Sequence, residues 1–128
     1  MRTSELIGPA LDWAVAKAEG IKITMQWGKP HGDFWINDRT MDYYELAYST
    51  DWTQGGPIIE REDISFRKYH NPGKEAHGKY YAKVCRESGE KVWWSKRDMT
   101  GPTPLIAAMR CYVASKLGDE VEIPEVLR

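Results

Sequence analysis

The chain has 128 residues, 41% of them hydrophobic and 29% charged, and a net charge of −1. That length suits a single domain burying roughly two-thirds of its unfolded surface, and two cysteines, Cys85 and Cys111, exclude a disulfide framework. No apolar run approaches the ~20 residues of a membrane span, and the opening Met1-Arg2-Thr3-Ser4-Glu5 lacks the order of a secretory leader, so a cytoplasmic chain away from membranes is expected.

Leu6, Ala10, Leu11, Ala14, Val15 and Ala18 recur at three- and four-residue steps and predict an N-terminal helix. Thr3 and Ser4 are candidate caps and Gly20 a candidate stop. Pro9 is tolerated only in a first turn, which puts the helix start near it. Ile21 to Gln26 alternates apolar and polar residues and predicts a half-buried strand.

From Trp27 to Trp52 no period holds, yet Trp27, Phe34, Trp35, Tyr43, Tyr44, Tyr48 and Trp52 crowd into it. Segments of this length are either a hairpin or irregular cover that plugs the core, or functional. Most aromatic rings of this chain are Trp or Tyr, whose polar handles suit a core edge or a binding face. Asp51 is placed to cap one turn, and Gly56-Pro57 to start a short helix.

Ile64–Lys68 predicts a short strand, and His70-Asn71-Pro72-Gly73-Lys74 a turn. Tyr80–Cys85 and Val92–Lys96 predict paired strands joined by a loop at Glu87-Ser88-Gly89-Glu90. The final helix has the clearest signals. Thr103 is its N-cap, Pro104 its first residue and Gly118 its stop, with Leu105, Met109, Val113 and Leu117 every four residues. Asp119 to Arg128 is an acidic tail expected to lie extended against the body. This order predicts one α+β domain over residues 1–128, a small antiparallel β-sheet covered by an N-terminal and a C-terminal helix.

Chemical candidates divide unevenly. His31, His70, His77 and the two cysteines lack the close paired spacing of metal ligands, and no serine or cysteine sits in a nucleophile motif. Neither a metal, a cofactor nor catalysis is expected. Anion binding has a better basis. The amides of Gly55 and Gly56, at an expected helix start, and the second start at Thr103-Pro104 would face negative charge. Arg61 and Arg110 would add planar forks for phosphate. Two ordinary capped helices explain the same residues without a ligand.

Charge is split between the halves. Residues 1–64 carry 6 Lys/Arg against 11 Asp/Glu, and residues 65–128 carry 12 against 8, so an acidic half precedes a basic one. The segment Arg67–Arg97 interleaves 9 Lys/Arg with Tyr69, Tyr80, Tyr81, Trp93 and Trp94, the composition that holds single-stranded nucleic acid. An exposed sheet face gives the same composition, and the near-neutral total charge argues against nucleic acid as the partner.

The blocks Leu11-Asp12-Trp13-Ala14-Val15-Ala16-Lys17-Ala18-Glu19-Gly20, Tyr48-Ser49-Thr50-Asp51-Trp52 through Gly55-Gly56-Pro57-Ile58-Ile59-Glu60-Arg61, and Gly101-Pro102-Thr103-Pro104-Leu105-Ile106-Ala107-Ala108-Met109-Arg110 with Asp119-Glu120-Val121 resemble the NinX-like group of small proteins of lambdoid phages. The resemblance implies a phage accessory protein and supplies no catalytic residue. Accessory phage proteins often counter host defence, and a simple way is to bind and withhold a nucleotide-derived immune signal. On that expectation Trp27, Trp35 or Trp52 stacks a base, with Tyr48, Ser49, Thr50 and Gln54 alongside. Asp51 holds a ribose hydroxyl, and Gly55, Gly56, Arg61, Thr103 and Arg110 hold phosphate. A homo-oligomer is expected. The alternatives are a protein–protein module that inhibits a host enzyme and a single-strand-binding factor.

Overall fold

A computed structural model of the protein describes residues 1–21, 23–24, 34–37, 43–68, 80–88, 91–94 and 99–127, with backbone alone for 23–24, 34–37, 43–45, 85–88, 91–94 and 126. The chain forms α1 (Gly8–Ala18), β1 (Ile23–Thr24), β2 (Phe34–Asn37), β3 (Tyr43–Glu45), α2 (Trp52–Arg61), β4 (Ile64–Lys68), β5 (Tyr80–Ser88), β6 (Lys91–Trp94), β7 (Met99–Gly101) and α3 (Pro104–Leu117). The α+β class expected from the residue order is what the chain adopts.

The centre of the molecule is α3. All ten residues from Leu105 to Ala114 are buried, because the helix is covered on more than one side. It packs on β4, β5 and β7, while α1 and α2 pack on it from elsewhere. The every-four stripe is therefore real but too narrow a description, since Ala107, Ala108, Arg110 and Cys111 also lie inside. Thr103 caps it as expected, its Oγ1 accepting the Ile106 amide at 3.1 Å. Gly118 ends it at φ +89°, a conformation in which a side chain is strained.

β5 organises the larger sheet. β4 pairs antiparallel along its first half, from Ile64 opposite Val84 to Lys68 opposite Tyr80. β7 also pairs with that half, Gly101 opposite Tyr80 and Met99 opposite Ala82. β6 pairs with its second half, Ser88 opposite Lys91. Strand alternation divides the faces. Ile64, Ala82, Val84 and Met99 are buried toward the helices, whereas Ser65 and Arg67 are exposed on the other side. β7 carries no sequence signal, because three residues are too few to display a period.

Between Trp27 and Trp52 the described residues include two strands, β2 and β3, before α2. β2 pairs antiparallel with β1 and β3 in a second, three-stranded sheet. The expected strand Ile21–Gln26 is described only as Ile23–Thr24, and the turn at residues 70–74 lies outside the described residues.

The ends of the chain depart from expectation. Thr3 and Ser4 do not cap α1, whose N-cap is Ile7 with no side-chain bond. Thr3 is instead fully buried and donates its hydroxyl to the Gly118 carbonyl at 2.7 Å. The Thr3 amide reaches Asp119 O at 2.8 Å, and the Val121 amide reaches Met1 O at 3.0 Å. The acidic tail lies against the body as expected, beside the N-terminus and burying Val121 and Ile123. It is not extended throughout, because Glu125–Leu127 forms a 3-10 turn.

Candidate functional site

The segment expected to cradle phosphate is built differently from its sequence pattern. Asp51 caps α2, its carboxylate accepting the Thr53 amide at 2.9 Å and the Thr53 hydroxyl at 2.7 Å. Those two bonds hold its carboxyl below the ordinary carboxylate range. One cap thereby starts a single ten-residue helix that runs through both glycines and Pro57. Gly55 and Gly56 are helix interior rather than a helix start. The Gly55 amide donates to Asp51 O at 3.0 Å, so it is spent on the helix and does not point at solvent.

Glycine at 55 answers to packing. A Cβ there would stand 2.5 Å from the Tyr48 carbonyl oxygen and 2.6 Å from Leu105 Cδ1, which lets α2 approach α3 closely. A Cβ on Gly56 would meet nothing nearer than Trp52 Cε3 at 4.0 Å.

The other expected ligand residues are likewise committed. Arg110 is nearly buried and gives Nε to the Leu6 carbonyl and Nη1 to the Thr100 carbonyl, each at 2.7 Å. Burial lowers its pKa from the ordinary value. It ties the segment before α1 to β7, so two of its guanidinium nitrogens are spent on backbone carbonyls. Arg61 pairs with Glu19 at 2.9 Å and also donates to the Tyr112 hydroxyl at 3.3 Å, with its guanidinium over that ring. The Glu19 bond raises its pKa. Gln54 accepts the Ala47 amide at 2.9 Å. Ser49 is buried, and its amide donates to the buried carboxylate of Asp12 at 2.8 Å.

Of the aromatic residues, Tyr48 is half-buried against the core and Trp52 is 49% exposed. Trp35 stands opposite Tyr44 in the β2–β3 register, and Trp27 lies outside the described residues. Thr50 is exposed at the turn before α2. Tyr48 to Gln54 thus form one continuous corner, but Arg110 does not join it and Arg61 sits nearly two helical turns beyond Gln54.

A different set converges. Ser65, Phe66 and Arg67 of β4 line a depression of about 430 Å³ with Tyr81 and Lys83 of β5. The register makes this necessary, because Arg67 is opposite Tyr81 and Ser65 opposite Lys83. The Lys83 ammonium lies 5.9 Å from the Tyr81 ring centre. On the other face of β4, Phe66 contacts Trp52 with ring centres 5.8 Å apart, and both rings are partly exposed. The sequence signal for Arg67, Tyr81 and Lys83 is the basic and aromatic mixture Arg67–Arg97, a composition that suits single-stranded nucleic acid. Strand pairing between Ile64–Lys68 and Tyr80–Cys85 would have isolated these residues. Among the described residues, no group of three His, Cys, Asp or Glu side chains is placed to hold a metal ion. No described helix is long and apolar enough to cross a membrane.

The fold is similar to that of a phage protein from Bacillus cereus ATCC 14579, known from a 2.0 Å crystal structure. The TM-score is 0.51 at 15% identity, covering 92% of this chain and 94% of that one. No curated protein matches the chain. The family model for NinX of bacteriophage P22 matches residues 2–116, the span that holds all three sequence blocks up to Arg110 and the whole arrangement of helices and strands around α3. The chain belongs to the phage P22 NinX family.

Proposed function

We propose that this phage protein is an accessory factor that binds a nucleotide-derived host immune signal in the host cytoplasm and withholds it without cleaving it. The observation that carries the reading is the depression between β4 and β5, where two cations, an aromatic ring and a hydroxyl converge. Its volume falls within the range of small-molecule sites. Arg67 offers a planar fork for phosphate and Lys83 a compact charge, while Tyr81 offers a ring for a base. The ligand-contacting role moves from the diglycine and Arg110 to these residues, while Trp52 stays with Phe66 on the other face of β4.

Calorimetric titration with cyclic ADP-ribose-type molecules and cyclic dinucleotides tests the reading, followed by heat release of the ligand for mass spectrometry. Binding of one member and recovery of it intact is the expected result. Arg67→Ala and Lys83→Ala each weaken that binding by about 10-fold or more, the scale of a lost charge-assisted hydrogen bond. Absence of binding across the panel refutes the proposal, and release of a cleaved product makes the protein an enzyme.

The exposed Trp52–Phe66 pair favours a second reading, a module that inhibits a host enzyme through an aromatic surface. A Trp52→Ala variant separates the two. It abolishes capture of a host enzyme on the second reading and leaves ligand affinity within a few-fold on the first.

A further inference from the structure

Taking the site of the proposed function as given, we infer that the β4–β5 depression reads a diphosphate, two adjoining phosphates in one ligand, and that a cyclic dinucleotide is not its ligand. The described lining holds the cations of Arg67 and Lys83, the hydroxyls of Ser65 and Tyr81, and no carboxylate. A hydroxyl serves as donor or acceptor, whereas guanidinium and ammonium only donate. A ligand that is negatively charged and rich in acceptors matches that lining.

Register fixes where the charges stand. Arg67 faces Tyr81 across the strands, and Ser65 faces Lys83. Arg67 and Lys83 therefore occupy one diagonal of a four-residue patch, their stems about 7 Å apart at the base, and Tyr81 is the neighbour they share. The Lys83 ammonium lies 5.9 Å from the centre of that ring. Two cationic heads over so short a span suit charges that adjoin in the ligand. In a diphosphate the two phosphorus atoms share one oxygen, so Arg67 takes one phosphate with its planar fork and Lys83 the other as a point charge. In a cyclic dinucleotide a ribose separates the phosphates on each side of the macrocycle, and one of the two stays outside. Both heads carry several N–H donors, so a phosphate joins their other contacts and does not require them bare. The Tyr81 ring remains for a base.

Calorimetric titration of the full chain with adenosine, AMP, ADP, cyclic ADP-ribose and cyclic di-AMP tests the inference separately from the proposed function. ADP and cyclic ADP-ribose are expected to bind at least about 10-fold tighter than AMP or cyclic di-AMP, the scale of one further charge-assisted contact. Adenosine binds weakest, and inorganic pyrophosphate displaces ADP. Arg67→Ala or Lys83→Ala brings ADP and AMP within about 3-fold of each other, and thermal melts confirm that each variant is folded. If AMP and ADP bind alike, if cyclic di-AMP binds tightest, or if both variants keep the preference for ADP, the inference is overturned and the depression stays a nucleotide site. If no member of the panel binds, the proposed function falls and the inference with it.

Discussion

Adjacent glycines in α2 are expected to respond to the same substitution with opposite signs. Gly55→Ala adds a methyl 2.5 Å from a backbone oxygen and 2.6 Å from Leu105 Cδ1. The leucine tip can rotate, but the Tyr48 carbonyl is backbone, and the gap is almost 1 Å short of an ordinary contact. Overpacking of this kind costs about 1–3 kcal/mol, against about 1 kcal/mol regained from the better helix propensity of alanine. Because the closer obstacle is a backbone oxygen, the upper part of the overpacking range applies, about 2–3 kcal/mol. The net loss is about 1–2 kcal/mol, a fall in Tm of roughly 3–8 °C for a domain of this size. Gly56→Ala keeps the propensity gain and meets nothing within 4 Å except one Trp52 ring carbon, so its Tm rises by about 2–4 °C. Paired calorimetric melts decide the matter. Equal effects at both positions, or a neutral Gly55→Ala, would refute the claim that Gly55 is set by helix packing. If both variants kept their stability and lost ligand, the diglycine would be a ligand loop after all.

The buried pair at the corner before α2 should separate in the same way. Ser49 Oγ is buried and has no hydrogen-bond partner among the described residues, so Ser49→Ala is expected to be neutral or stabilising by up to about 1 kcal/mol in urea unfolding. Asp12→Ala strips the buried Ser49 amide of its acceptor and costs about 1–3 kcal/mol in the same assay. Burial, then the Glu19 carboxylate, pushes the Tyr112 phenol up to about 12. The unfolded tyrosine ionises near pH 10 while the folded one holds its proton, so stability is full below pH 10 and falls toward pH 12. Tyr112→Phe removes that slope from a series of melts across the alkaline range. Arg61→Ala loses an exposed ion pair with Glu19 and should cost no more than about 1 kcal/mol, with the difference shrinking as salt is added.

What the chain discloses in advance follows the length scale of each signal. α3 is legible because its cap, its proline, its stop and four stripe residues all agree over 14 residues. α2 is misread because glycine and proline are the strongest local breakers, and tertiary contact outweighs them here. Ile58 is buried, and Gly55 is the residue that permits the approach to Leu105. Thr3 and Arg110 look like a cap and a phosphate fork because residue type alone cannot say where a side chain turns. Their partners, Gly118 and Leu6, lie 115 and 104 residues away in sequence. The site at β4–β5 fails for a related reason. Arg67 and Tyr81 are unremarkable until the register sets them opposite each other.

These commitments divide the molecule into parts with different tolerances. Arg110 and Asp12 each satisfy a buried backbone group, and Thr3 places its own buried hydroxyl on the Gly118 carbonyl, so substitution there is charged against folding itself. Ser65 and Arg67 stand exposed on the outer face of the sheet, across from Lys83 and Tyr81, while the adjacent Ile64, Ala82 and Val84 hold the strands to α3. Alternation lets one strand do both without conflict, since neighbouring residues point to opposite faces. A change of side chain at 65, 67, 81 or 83 therefore alters charge and shape in the depression at little cost to the core. Under the proposed function the host sets the ligand, and the two faces of β4 and β5 would let the contacts change without unfolding the chain.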